Sequence, residues 1–263
     1  MTRNASHRPA VTRRERAQNF KNDQKELLNA IAEKEYSDAP KKFHIQPKSE
    51  HQSMLLDAIE LFSIVVAIGP AGTGKTYIGC MKAAQLFNTG KYEKIVLCRA
   101  NVPTGKSLGA FPGSIQEKMA PWLAPMTSVL KKAFTTQKFE YLVNKGQIEI
   151  QPLETIRGMS YENSLVLVDE SQNLNMEEIK AITTRMGEGS KMILMGDPNQ
   201  SDIDNGLALI RFTDLCRKHQ IEVPVVAFGI EDIVRSDIVG QLVRMFTEVD
   251  VSRRTAQPKL EVT

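Results

Sequence analysis

Gly69, Gly74, Lys75 and Thr76 fall at the fixed positions of G-x-x-x-x-G-K-[ST], with Pro70, Ala71, Gly72 and Thr73 between them. This spacing suits the binding of a triphosphate. Small residues let backbone N–H groups turn inward, a following helix N-terminus favours anions, Lys75 neutralises β/γ oxygens, and Thr76 reaches Mg²⁺. A second group of the same kind is Leu165-Val-Leu-Val-Asp169-Glu170, an apolar run ending in two carboxylates. The first acid would complete a Mg²⁺ shell, and the second would polarise an attacking water, which favours hydrolysis over transfer to a small acceptor. Lys191 to Met195 is another apolar run, closing on Gly196-Asp-Pro-Asn-Gln200. Beside the Asp169 run it would bring Asp197 and Gln200 to the γ-phosphate, with Gln200 sensing it; a plain Asp-Pro-Asn turn is the alternative.

Such residues need a sheet to hold them. Apolar or β-branched runs recur at Ile64–Ile68, Ile95–Cys98, Ile148–Ile150, Leu165–Val168, Met192–Met195 and Val225–Phe228. Several alternate with helix-compatible stretches at 77–87, 175–186, 206–219 and 236–246, which predicts an α/β protein with a doubly wound, mostly parallel sheet. Sheets of this kind bind ligands at the carboxyl ends of their strands, where the glycine loop lies. Residues 100–145, with Pro103, Pro112, Pro121, Pro125 and the sole tryptophan Trp122, read as an insertion of loop and helices. Trp122 is open to two readings, a base-stacking platform or a core residue.

The chain has 263 residues, 41% hydrophobic and 25% charged, enough for one sizeable domain with an arm and too few for two RecA-like domains in tandem. No apolar run approaches the length of a membrane helix, and the first residues lack the apolar centre of a signal peptide, so a soluble protein with no membrane partner is expected. Cys80, Cys98 and Cys216 are far apart and the four histidines show no ligand spacing, which suggests free thiols in a reducing cytoplasm rather than disulfides or zinc. The net charge of +3 is uneven: residues 1–48 carry eleven Lys/Arg against six acids. A basic arm of this kind either contacts a phosphate backbone or is simply solvated. The expected organisation is a basic arm at 1–47 with a helical stretch at 22–35, an ATPase-type domain at 48–250 and a mobile tail at 251–263.

Taken together, the glycine loop through Thr76, the Val-Asp-Glu-Ser-Gln172 strand end and the Gly-Asp-Pro-Asn-Gln200 loop resemble the PhoH-like family of phosphate-starvation-inducible P-loop ATPases, similar to the RecA-like domain of superfamily 1 helicases. Leu108 to Gly113, Gln116 to Lys118, Ile156 to Gly158 and Asp232 to Arg235 extend the likeness. The resemblance implies a single RecA-like P-loop domain that binds and hydrolyses ATP with Mg²⁺. It also implies that Gln52 reads the adenine edge, and that Arg235 is a finger offered to a neighbouring copy's γ-phosphate. By themselves Gln52 and Arg235 read as surface residues. Arg99 and Arg157 correspond to segments that face nucleic acid in superfamily 1 proteins, and either could instead be a salt-bridged residue. Lys106 stands where many members of the family have an acid, which leaves a polynucleotide contact there open. The expected partners are single-stranded RNA or DNA and further copies of the chain in a ring such as a hexamer, since one RecA-like domain supplies half of a helicase cleft. The alternative is an ATP-gated interaction protein that regulates a nuclease or other partner without motor activity.

Overall fold

The computed structural model describes residues 43–100, 115–153, 156, 158–200 and 207–234, together with 238, 241, 242 and 245. The expected arm helix, the tail, Lys106, Arg157 and Arg235 lie outside the described residues, as do most of 236–246.

Uninterrupted apolar runs become central strands because a parallel strand is buried on both faces. Strands β1 (Ile64–Ile68), β2 (Lys94–Arg99), β3 (Ile148–Ile150), β4 (Ser164–Asp169), β5 (Lys191–Gly196) and β6 (Val225–Ala227) form one sheet in the order β3-β2-β4-β5-β1-β6. All pairings are parallel. Every strand therefore delivers its carboxyl end to the same edge of the sheet.

Alternate side chains divide between two cores. Val65, Ala67, Ile95, Leu97, Leu165, Leu167, Ile193 and Met195 pack on one face against the helices α1 (Glu50–Leu61), α2 (Lys75–Phe87), α3 (Ile115–Phe134) and α4 (Thr136–Asn144). Val66, Val96, Cys98, Val166, Val168, Met192 and Leu194 pack on the other against α5 (Met176–Thr183) and α6 (Ala208–Lys218). The sheet is doubly wound, as its alternating pattern predicts. Ile45 is buried in the first core and Phe43 packs against it, so the folded body begins upstream of residue 48.

Helix α3 lies within the stretch read from sequence as an insertion of loop and helices. Pro121 and Pro125 lie inside this one helix of 20 residues. Each proline removes a backbone donor, at a cost of about 3 kcal/mol in a helix interior. Met119, Leu123, Met126, Leu130 and Phe134 nevertheless repeat at three- and four-residue spacing and are all buried, and this packed stripe holds the helix. Trp122 is half-buried on it.

The three cysteines are buried free thiols, with burial pushing Cys98 up to about 12. Among the described residues no helix is long and apolar enough to cross a membrane.

Candidate functional site

Between β1 and α2 the chain needs a sharp loop, and its glycines supply it. Gly69, Gly72 and Gly74 have φ of 140°, 87° and 88°, conformations that L side chains rarely adopt. At Gly69 a Cβ would also sit 2.7 Å from the Phe228 Cβ. Gly74 is the N-cap of α2 and provides no side-chain cap, so the helix's first N–H groups are left for a ligand.

Lys75 is buried, and its ammonium donates to the carbonyls of Gly69 (2.6 Å) and Pro70 (2.7 Å) and to Thr73 Oγ1 (3.3 Å). Burial lowers its pKa, opposed by Asp197, Asp169 and Glu170. This is a cation held inside a carbonyl-lined loop, with three acids facing it and, among the described residues, no direct ion pair.

Parallel pairing aligns Arg99 with Asp169, at the ends of β2 and β4. Thr76 Oγ1 donates to Asp169 Oδ1 over 3.1 Å, so the hydroxyl and carboxylate expected to share a cation already adjoin. Burial raises the Asp169 pKa, helped by Glu170 and opposed by Arg99 and Thr76. The next residue, Glu170, turns out of the strand with φ of 53°. Its Oε1 pairs with Arg99 Nη2 at 3.0 Å, and its Oε2 accepts from Gln172 Nε2 at 2.7 Å. Arg99 also donates through Nη1 to the Trp122 carbonyl. Of the two readings of Arg99, the salt-bridged one describes its contacts here.

Gln172 has no role in the sequence reading. It is buried and bridges two strand ends, donating to Glu170 while its Oε1 accepts the Asp197 N–H at 3.0 Å. Its one signal is its place in the Val-Asp-Glu-Ser-Gln172 run. Asp197 follows β5, where burial raises its carboxyl, opposed by the Asn199 N–H and Lys75.

Lys75, Thr76, Asp169, Glu170, Gly196, Asp197 and Gln200 line one cavity of about 370 Å³, with Pro125 and Val129 of α3 forming part of its wall. A larger cavity of about 760 Å³ shares Gly72, Gly74 and Tyr77 with it and is bounded by His44, Pro47, Lys48, Gln52 and Val234. The two adjoin at those three residues, the smaller at the strand ends and the larger beside Gln52. The residues present fit a Mg²⁺–nucleotide: glycines bring backbone close to phosphate, and Thr76 and Asp169 supply hard oxygen ligands.

Gln52 lies at this site, but its amide is engaged by the protein. Nε2 donates to the Thr73 carbonyl and Oε1 accepts the Lys48 N–H, both at 2.8 Å, and the side chain is buried. It braces the glycine loop; the adenine-reading role came from the resemblance. A second brace comes from the segment after β6. Asp232 Oδ2 accepts from Gly229 N–H and lies 2.8 Å from His51 Nδ1, and the Val234 N–H donates to the Gly72 carbonyl.

Residues 44–247 match the family described as PhoH-like protein. The PhoH-like protein of Bacillus subtilis is 33% identical over 227 residues, covering 86% of this chain and 71% of the relative. The PhoH-like protein of Mycobacterium leprae is 34% identical over 208 residues, and Protein PhoH of Escherichia coli 34% over 206, covering 78% and 77% of this chain. The matched regions span 59% and 58% of those two relatives. Among solved structures, the large terminase of a thermophilic bacteriophage superposes with a TM-score of 0.50 at 13% identity, over 76% of this chain and 50% of that one. One of its crystal forms is a complex with ADP. This likeness concerns the fold, an all-parallel P-loop sheet of the RecA-like kind. The chain belongs to the PhoH-like protein family.

Proposed function

We propose that this protein binds ATP with Mg²⁺, hydrolyses it, and couples the cycle to single-stranded RNA or DNA as an assembly of several copies. The observation that supports hydrolysis is the convergence of Lys75, Thr76, Asp169 and Glu170 on one cavity at the strand ends. Lys75, withdrawn from its loop carbonyls, would neutralise the β- and γ-phosphates. Thr76 and Asp169 would hold Mg²⁺, which supplies charge neutralisation between those phosphates. Glu170 would orient and polarise the attacking water, and Gln200 would register the γ-phosphate.

The polynucleotide and oligomer readings rest on the family resemblance and on the basic arm. In this reading Arg235 completes the cleft of a neighbouring copy. Val234, just before it, is bonded to this chain's own glycine loop, so action within one chain is the competing arrangement.

The test is ATP turnover with and without a single-stranded oligonucleotide, alongside mass in solution with an ATP analogue. The proposal expects turnover abolished by Lys75→Ala and Glu170→Gln, stimulated by the oligonucleotide, and rising with assembly. Mixing Arg235→Ala with Lys75→Ala protein should restore part of the activity if the arginine acts between copies. Turnover indifferent to RNA and DNA, with a protein partner retained only in ATP, would replace the motor by ATP-gated docking.

A further inference from the structure

Both oxygens of the Glu170 carboxylate have protein partners, and the two partners differ in kind. Gln172 is buried at 2% exposure and fixed on the Asp197 N–H, a static support. Arg99 has a side chain 22% exposed and is shared with another element, since its guanidinium also donates to the Trp122 carbonyl of α3. With the guanidinium on Oε1 and the Gln172 amide on Oε2, neither carboxylate oxygen is without a protein donor. A group that polarises water must present an oxygen to it, so this arrangement keeps Glu170 turned to protein partners. Helix α3 also contributes Pro125 and Val129 to the wall of the phosphate cavity. Arg99 thus joins a wall of the substrate site to the group that acts on water there.

Building on the hydrolysis reading above, we propose that Arg99 is a positioning residue that restrains Glu170, holding it in a low-activity state through an ion pair while tethered to α3 at Trp122. Displacement of α3 draws the guanidinium away and releases the carboxylate toward water.

The test is steady-state ATP turnover by the full chain carrying Arg99→Gln or Arg99→Lys. Glutamine removes the charge, so kcat should rise roughly twofold to fivefold, the scale on which a partly exposed ion pair biases an equilibrium, with KM little changed. Lysine keeps the charge but not the planar fork of donors, and should give a smaller rise. Damage to the fold would not accelerate turnover, and either variant alone decides the question if the other fails to fold. The gain must pass through Glu170, so Arg99→Gln combined with Glu170→Gln should be no faster than Glu170→Gln alone. Because Trp122 is the sole tryptophan, its emission reports the tether and should shift in Arg99→Gln. A kcat that falls or stays level in these variants, in a protein whose turnover still depends on Lys75, overturns the restraint. An unshifted Trp122 emission overturns the tether. Equal turnover by wild type and Lys75→Ala would instead sink the hydrolysis reading on which the restraint is built.

Discussion

Replacing Gln172 with methionine keeps most of the side-chain volume and deletes its hydrogen bonds. Among the bonds lost, those to Glu170 and Asp197 are unequal. The bond to Glu170 ends on a side chain that is 37% exposed, so water can take the donor's place. The Asp197 N–H is different, because it is buried and its bond to Gln172 Oε1 is 3.0 Å long. Gly196 lies so close that a Cβ on it would come within 2.6 Å of Gln172 Oε1, which leaves little room for a bridging water. An unsatisfied buried N–H costs about 1–3 kcal/mol. In a domain of this size each kcal/mol corresponds to about 2–4 °C in melting temperature, so Gln172→Met should melt about 2–12 °C below wild type. Scanning calorimetry with and without an ATP analogue measures this, and turnover on the same samples measures the second consequence. Glu170, kept only by Arg99, should support slower hydrolysis while the affinity for analogue holds. A Gln172→Met protein as heat-stable as wild type would refute the reasoning, because the Asp197 N–H would then have found another partner.

Two further predictions concern the cost of building the site. Asp197 has a raised pKa through burial, so the folded chain keeps its proton to higher pH than the unfolded chain. Stability from this group therefore falls as pH rises from the unfolded value of about 3.9 through the folded one. Asp197→Asn should accordingly melt above wild type at pH 7, with the gap closing on acidification below about pH 4; a gap independent of pH counts against this account. Gly69→Ala places a Cβ against Phe228 in a backbone conformation disfavoured for alanine. Strain and overpacking together should cost about 3 kcal/mol, and urea unfolding that leaves the midpoint unmoved would exclude the close packing of the loop on the segment after β6.

The strands were legible because they are central and parallel. β1 and β3 occupy the runs expected of them, and β2, β4 and β5 extend theirs by one residue at each end. Burial on both faces leaves an unbroken apolar run that local composition reveals. The segment of α3 was legible as loop and helices but not as one helix running through Pro121 and Pro125, because the buried stripe that holds it together is visible only once the sheet is in place. The resemblance singled out Gln52, which lines the larger cavity, but its bonds to Thr73 and Lys48 could not be foreseen from a motif.

By itself the sequence determined the phosphate loop and the acids at the strand ends. A turn rich in positive-φ glycines, a lysine and a hydroxyl at fixed spacing are properties of adjacent residues, and backbone sterics act over that range. Tertiary structure decided which strand ends became neighbours. Thr76 meets Asp169 across 93 positions, Arg99 meets Glu170 across 71, and Gln172 meets Asp197 across 25. Those meetings depend on the crossovers that set the strand order β3-β2-β4-β5-β1-β6. Strand order is settled by packing helices on two faces of a twisted sheet, a property of the whole chain that no short run of residues encodes.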